Sequence, residues 1–351
     1  MTRSRFAPQA VRFAGLVSVT LFGLVAAAQP VQASLVWDAN ASDYGYLWQY
    51  SIPAPLGAEA CGPTATTNAF TFLQNTQGGR VGDALTGSEY PDWLQTAKTL
   101  ANDYMQTGEA GSANPGTMYG HLTTGMQQYA EAWHEGHPDR AKIQFNGVSF
   151  GDKRYDPDHP ERGTFPDWVK LLDNQGPTIE QLYQMLAGGA GVVMGMNLPD
   201  ETGHIVTLAG MDWDDVNGDG IVDPGEATLS IIDPLDPSSH YENPEPDPYG
   251  ADGLQPQKAV FTKLNVWEAT VLNPKTQQPM SGLATDYAQY QGSHDPNQPD
   301  EPYTPYDGRY GTAPLFIAAA FSMKAVPEPT SGLIWGSLLL GAAVSRRRRT
   351  V

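Results

Sequence analysis

Gly57-Ala-Glu-Ala-Cys61-Gly-Pro-Thr-Ala-Thr-Thr-Asn-Ala-Phe-Thr-Phe-Leu73 holds the single cysteine of the 351-residue chain. A lone thiol makes no intramolecular disulfide, so it serves either packing or chemistry. Ala65, Ala69, Phe72 and Leu73 stand at i, i+4, i+7 and i+8, the spacing of one apolar helical face. Pro63 suits the first turn of such a helix, where the N–H it lacks has no intrahelical partner anyway. Cys61 thus opens a helix, close to its unpaired N–H groups and the positive end of its dipole, a setting that favours a thiolate nucleophile. For packing alone, the same side chain is a small buried apolar group.

A nucleophilic thiol needs a base, and the base needs an orienter. His204 heads the apolar run Gly203-His-Ile-Val-Thr-Leu-Ala-Gly210, a predicted strand. The other histidines, at 121, 134, 137, 159, 240 and 294, stand in helical or polar loop settings. His134 and His137 lie three residues apart with no Cys or second cluster beside them, so they count as solvated surface, not a metal pair. Ala227-Thr-Leu-Ser-Ile-Ile-Asp233 is a second predicted strand that ends in a carboxylate. Antiparallel pairing with the His204 strand would set Asp233 beside His204 at one end of the ladder. Asp236 is the alternative orienter.

Cys61-Gly-Pro-Thr-Ala followed by an apolar helix resembles the nucleophile motif of papain-like cysteine peptidases, the bacterial C39-like group above all. The streptococcal immunoglobulin-degrading endopeptidases are similar too: their cysteine opens an Ala/Thr/Asn-containing helix, and their histidine strand runs into an Asp/Asn/Gly turn. The resemblance spans roughly Trp48 to Asp236, by pattern more than by identity. His204, 143 residues after Cys61, has the ~130–150 spacing of a papain-type histidine. It implies a papain-like α+β fold, N-terminal helices with the Cys61 helix packed on a C-terminal antiparallel sheet, and hydrolysis of peptide bonds through a Cys61/His204/Asp233 thioester mechanism. It also implies an oxyanion-binding glutamine upstream of the cysteine. Gln49 is the only glutamine between residues 34 and 61, and it fills that role or is a surface side chain.

Between the two strands runs Asp215-Val-Asn217-Gly-Asp219-Gly220-Ile221-Val-Asp223-Pro-Gly-Glu226. It matches the twelve-residue EF-hand loop: side-chain oxygens from Asp215, Asn217, Asp219 and Asp223, the carbonyl of Ile221, glycine at position 6 and Glu226 at position 12. Strands flank it, so a structural Ca2+ would sit in a hairpin loop. Without metal it is an Asp/Asn/Gly turn.

The ends are expected to be addresses. Arg3, Arg5 and Arg12 precede an apolar run to Ala28, and Val31-Gln-Ala33 suits a signal peptidase, so residues 1–33 form a signal peptide. Val326-Pro-Glu-Pro-Thr-Ser331, an apolar run and Arg346–Arg349 resemble a PEP-CTERM sorting signal over 326–351, which implies transient membrane contact and cleavage by an exosortase on export from a Gram-negative cell. The chain carries 20 Lys+Arg against 39 Asp+Glu, a net −19, and the two ends hold seven of the arginines but one acid. A mature chain that acidic is a poor partner for nucleic acid. Roughly 290 remaining residues, 34–325, suffice for one large domain. Helical patterns over 91–106, 117–133 and 178–186, then strands over 141–150, 191–196, 204–210, 227–233, 260–266 and 315–323, fit an α+β class. Exported cysteine endopeptidase is the leading function; an amidase or transpeptidase, and a non-catalytic matrix or surface binding protein, are the alternatives. A protein or peptide is the expected substrate.

Overall fold

The computed structural model describes residues 34–53, 56–82, 85–108, 116–151, 153–154, 156, 160–197, 203–235, 259, 261–272, 279–287, 292–293, 304–305 and 315–326. The leader, Asp236 and the tail beyond Val326 lie outside them. In chain order, β1 (Ser34–Asp38) precedes α1 (Cys61–Thr76), α2 (Gly78–Val81), α3 (Tyr90–Thr99) and α4 (Tyr119–Gly136). Next come β2 (Lys142–Phe150), β3 (Val169–Leu172), α5 (Ile179–Ala187), β4 (Gly191–Asn197), β5 (Gly203–Asp214) and β6 (Ala227–Ile232). The chain continues through β7 (Thr262–Leu272), β8 (Pro279–Thr285), the short β9 (Gly292–Ser293) and β10 (Thr304–Pro305), and β11 (Leu315–Val326).

β4, β5, β6, β7, β8 and β11 close into a six-stranded antiparallel barrel with extra strands along its edges. This corrects the expected papain-like α+β fold with helices laid on a sheet. The cause lies in β5 and β11, each 12 residues long and paired along both edges. β5 takes β4 on one edge and β6 on the other; β11 takes β4 on one edge and, through Leu315 and Phe316, β8 on the other. A bulge in each, between Leu208 and Gly210 and between Ile317 and Ala319, supplies the bend that curls a sheet into a barrel. β8 completes the ring from a stretch whose sequence is polar and proline-rich. Pro279 is tolerated there as the first strand residue, and Gly282 is required, because a Cβ would come within 2.4 Å of the Phe316 ring. Beyond the end of β4, β1 pairs with β5 from Gly210 to Asp214, while β2 and then the parallel β3 extend from β11.

Strand periodicity separates two apolar cores. Val192, Met194, Val206, Leu208, Leu229, Ile231, Leu264, Val266, Leu283 and Ile317 fill the barrel, joined by Leu182 and Leu186 of α5. The alternate positions Val193, Ile205, Phe321 and Met323 face outward onto Ala65, Ala69, Phe70 and Leu73 of α1 and Leu122 and Met126 of α4. Each such aliphatic or aromatic side chain contributes about 1.5–3 kcal/mol by leaving water. Contact is tight where α1 meets β4: a Cβ on Gly191 would stand 2.6 Å from the Ala69 carbonyl oxygen.

The polar side of α1 is buried as well, from Gly62 through Gln74. Its side chains hold loops in place of solvent. Asn68 accepts the Leu47 N–H at 2.8 Å and donates to the Leu47 carbonyl at 3.3 Å. Gln74 accepts the Thr86 N–H at 2.9 Å and donates to the Gly87 carbonyl at 2.6 Å. The first of these clasps draws the segment bearing Gln49 around the helix that begins at Cys61.

Candidate active site

One rim of the barrel gathers the end of β4, the start of β5, the end of β6 and the end of β8. His204 stands at the start of β5 and Asp233 follows β6, both buried. The antiparallel register, with Thr207 opposite Ile232, brings the two side chains together. His204 Nε2 lies 2.7 Å from Asp233 Oδ1. The same oxygen accepts the Leu235 N–H at 2.8 Å, and Asp233 Oδ2 accepts the hydroxyl of Tyr287 at 2.6 Å. The Tyr287 ring stacks on the imidazole, with centroids 5.5 Å apart and planes 25° apart.

Cys61 is the first residue of α1 and is partly exposed, while the residues after it are buried. Its side chain lies beside the His204 ring, close enough to help raise the imidazole pKa. Since Nε2 faces Asp233, Nδ1 is the nitrogen left for the thiol. A tie between the supporting elements fixes this geometry: Thr207 of β5, three residues after His204, donates its hydroxyl to the Ala65 carbonyl of α1 at 2.9 Å. Gln49 is buried, and its N–H bonds the Pro234 carbonyl at 3.0 Å, next to Asp233. Trp48 Nε1 reaches the Leu235 carbonyl at 3.4 Å, a second staple between the same segments. Gln49 is therefore a rim residue and not a surface glutamine.

Burial disfavours a charged imidazole, but the Asp233 carboxylate, its hydrogen bond and the contact with Cys61 outweigh that cost and hold the His204 pKa up at about 10. For Asp233, burial raises the pKa while the His204 charge and the bonds from His204, Tyr287 and Leu235 lower it, and the net direction is down. The pair is thus an imidazolium and a carboxylate at neutral pH. Such an arrangement can hold a proton beside the Cys61 sulfur and hand it to a leaving group. Also near the thiol is Tyr119, at the start of α4, whose hydroxyl donates to Asn197 Oδ1 at 3.2 Å. Gly195 makes room for that ring, since a Cβ would fall 2.4 Å from the Tyr119 oxygen. Burial, then the Cys61 charge, pushes the Tyr119 hydroxyl pKa upward, so it stays a neutral donor.

Tyr287 and Tyr119 carry no motif that singles them out in the sequence. Tyr287 follows the alternating Leu283-Ala284-Thr285 of β8, and that alternation was its one available signal. His134 lies in the last turn of α4 and His137 caps it, both half-buried, with His137 stacked on Trp133 at 5.4 Å and its Nδ1 2.8 Å from the Trp133 carbonyl. Asp236 lies outside the described residues.

The Asp215–Glu226 loop joins β5 to β6, the two strands that bear the pair. Asp215 is buried and accepts the N–H groups of Gly218 at 2.7 Å, Asp219 at 3.1 Å and Gly220 at 3.0 Å. Asn217 accepts the Asp219 N–H at 2.9 Å and donates to Asp223 Oδ2 at 2.8 Å, and Asp219 accepts the Ile221 N–H at 2.8 Å. Glu226 closes the loop by accepting the N–H groups of Val216 and Asp223, both at 3.2 Å. Gly220, at φ 76°, supplies the left-handed turn. Among the described residues, no three His, Cys, Asp or Glu side chains are grouped as a metal ion would group them. Nor is any described helix long and apolar enough to cross a membrane.

No family model matches this chain and no curated protein is similar to it, so what it does is inferred from the geometry of Cys61, His204 and Asp233.

Proposed function

We propose that the protein is an exported, surface-directed cysteine endopeptidase. One observation carries this: a partly exposed cysteine at a helix N-terminus, beside a buried imidazole whose Nε2 is held 2.7 Å from a carboxylate. With His204 protonated, the Cys61 thiolate attacks the carbonyl carbon of the scissile amide, and the oxyanion is received by the Cys61 backbone N–H and the Gln49 side chain. The C–N bond breaks as His204 gives its proton to the leaving amine, and an acyl thioester remains on Cys61. Water then attacks the thioester carbon and loses a proton to His204. The C–S bond breaks, and the carboxylic acid product leaves with the Cys61 thiolate and the protonated His204 restored. Asp233 stays ionised throughout and orients the ring.

The Asp215–Glu226 loop belongs to this proposal as a structural Ca2+ site outside the chemistry. Its donors are hard oxygens, which suits calcium. The side chains of Asp215, Asn217, Asp219, Asp223 and Glu226 and the Ile221 carbonyl would hold the ion, and the carboxylates must turn toward it from the N–H groups they now meet. Export by the leader and exosortase processing of the tail complete the proposal.

Iodoacetamide alkylation tests the nucleophile. Fast labelling of Cys61, slowed by a peptide aldehyde and by His204→Ala, is the expected result. Labelling at the rate of a free thiol, indifferent to the aldehyde, points to a binding protein.

A further inference from the structure

We propose that Tyr287 is a positioning residue for the acid–base pair, fixing the Asp233 carboxylate through its hydroxyl and the His204 ring through its face. This rests on the peptidase function proposed above. Asp233 Oδ1 is engaged by His204 Nε2 at 2.7 Å and by the Leu235 N–H at 2.8 Å, whereas Oδ2 receives the Tyr287 hydroxyl at 2.6 Å. A carboxylate bonded at one oxygen can still turn about its Cβ–Cγ bond, and a donor on the second oxygen stops that turn. The imidazole has the matching problem. Its link to Asp233 sets the position of one nitrogen, and a ring stacked 5.5 Å away at 25° sets the tilt that aims the other at Cys61. Tyr287 meets both needs from one residue only 1% exposed. It stands just past Thr285, the last residue of β8, so the strand that closes the barrel also places this side chain.

The groups facing the pair are Tyr287 just after β8, Cys61 from α1 and, near the thiol, Tyr119 from α4. The Tyr287 hydroxyl helps to hold the Asp233 pKa down, so removing it raises that pKa and moves the acid limb of the rate profile to higher pH.

The test is peptide hydrolysis by the mature protein against pH, with wild type, Tyr287→Phe, Tyr287→Leu and Cys61→Ala compared at equal folded concentration. Tyr287→Phe keeps the ring and should lose roughly tenfold in kcat with KM within about twofold, and its acid limb should rise. Tyr287→Leu, which loses ring and hydroxyl, should lose more. If it fails to fold, Tyr287→Phe carries the test alone. Wild-type kcat and an unmoved acid limb in Tyr287→Phe, with Cys61→Ala inactive, overturn the positioning role and leave the peptidase standing. Undiminished hydrolysis by Cys61→Ala overturns both.

Discussion

At the scale of single residues, the chemistry is concentrated in a few atoms. Cys61→Ala and His204→Ala should each abolish hydrolysis with the fold retained, because one removes the nucleophile and the other its acid–base partner. Asp233→Ala should be milder by roughly one to two orders of magnitude in kcat, since an orienter contributes less than the group it orients. Peptide turnover paired with circular dichroism checks all three. The pH dependence follows from the pair. His204 has a folded pKa of about 10 against an ordinary 6.5, so its contribution to stability is fully present below about pH 6.5 and is lost as pH rises through about 10. Asp233 is displaced below its ordinary 3.8; its contribution is present above that value and is lost as pH falls through the lowered pKa. Wild type should therefore be most stable across the neutral range and decline on the alkaline side, and the melting temperature of His204→Ala should lack that decline. Cys61, His204 and Asp233 were legible from the sequence because a helix start, a strand start and a strand end each leave a pattern. Tyr287 was not, because the short alternation ahead of it marks a strand and says nothing of the site the side chain reaches.

Among the elements, the strand that closes the barrel matters most. Gly282 faces Phe316 so closely that even a methyl group would stand 2.4 Å from the ring. Gly282→Ala should cost about 1–3 kcal/mol as an overpacked contact and lower the melting temperature by several degrees, with turnover falling because Tyr287 and β8 shift together. A calorimetric scan beside an activity assay measures both effects. The loop between β5 and β6 gives a second prediction. With a dissociation constant of ~10⁻⁴ M and ~1 mM calcium, bound ion would stabilise the fold by roughly 1.4 kcal/mol. Chelation should lower the melting temperature by a few degrees and reduce turnover reversibly, and Asp219→Ala should mimic it. Equal melting with and without chelator means the loop is only a turn. Helices α1, α4 and α5 and strands β4, β5 and β6 were all expected from periodicity, and Thr178 caps α5 in a reciprocal box with Gln181. β8 was missed because Pro279, Ser281 and Gly282 mask its alternation, and β1 and β3 because each depends on long-range pairing that composition does not record.

On the scale of the molecule, a closed barrel supplies the rigid rim and the helical layer supplies the nucleophile. The sequence led instead to helices laid on a sheet, since the order of elements can be read locally but closure depends on which strands share edges. The pairings of β8 and β4 with β11 join residues far apart in the chain, and no local pattern announces them. The fold of the site was thus less legible than its residues. The ends belong to this scale too: intact mass spectrometry of protein from the native host should find the leader gone and the chain ending near Thr330, whereas Arg346–Val351 still attached means an ordinary anchor. The central claim is that Cys61 breaks peptide bonds. Its most direct test exposes a native proteome to the mature wild type and to Cys61→Ala and sequences the new termini by mass spectrometry. Recurrent cleavage sites produced by wild type and absent with Cys61→Ala are the predicted result. Identical termini from the two proteins would contradict it.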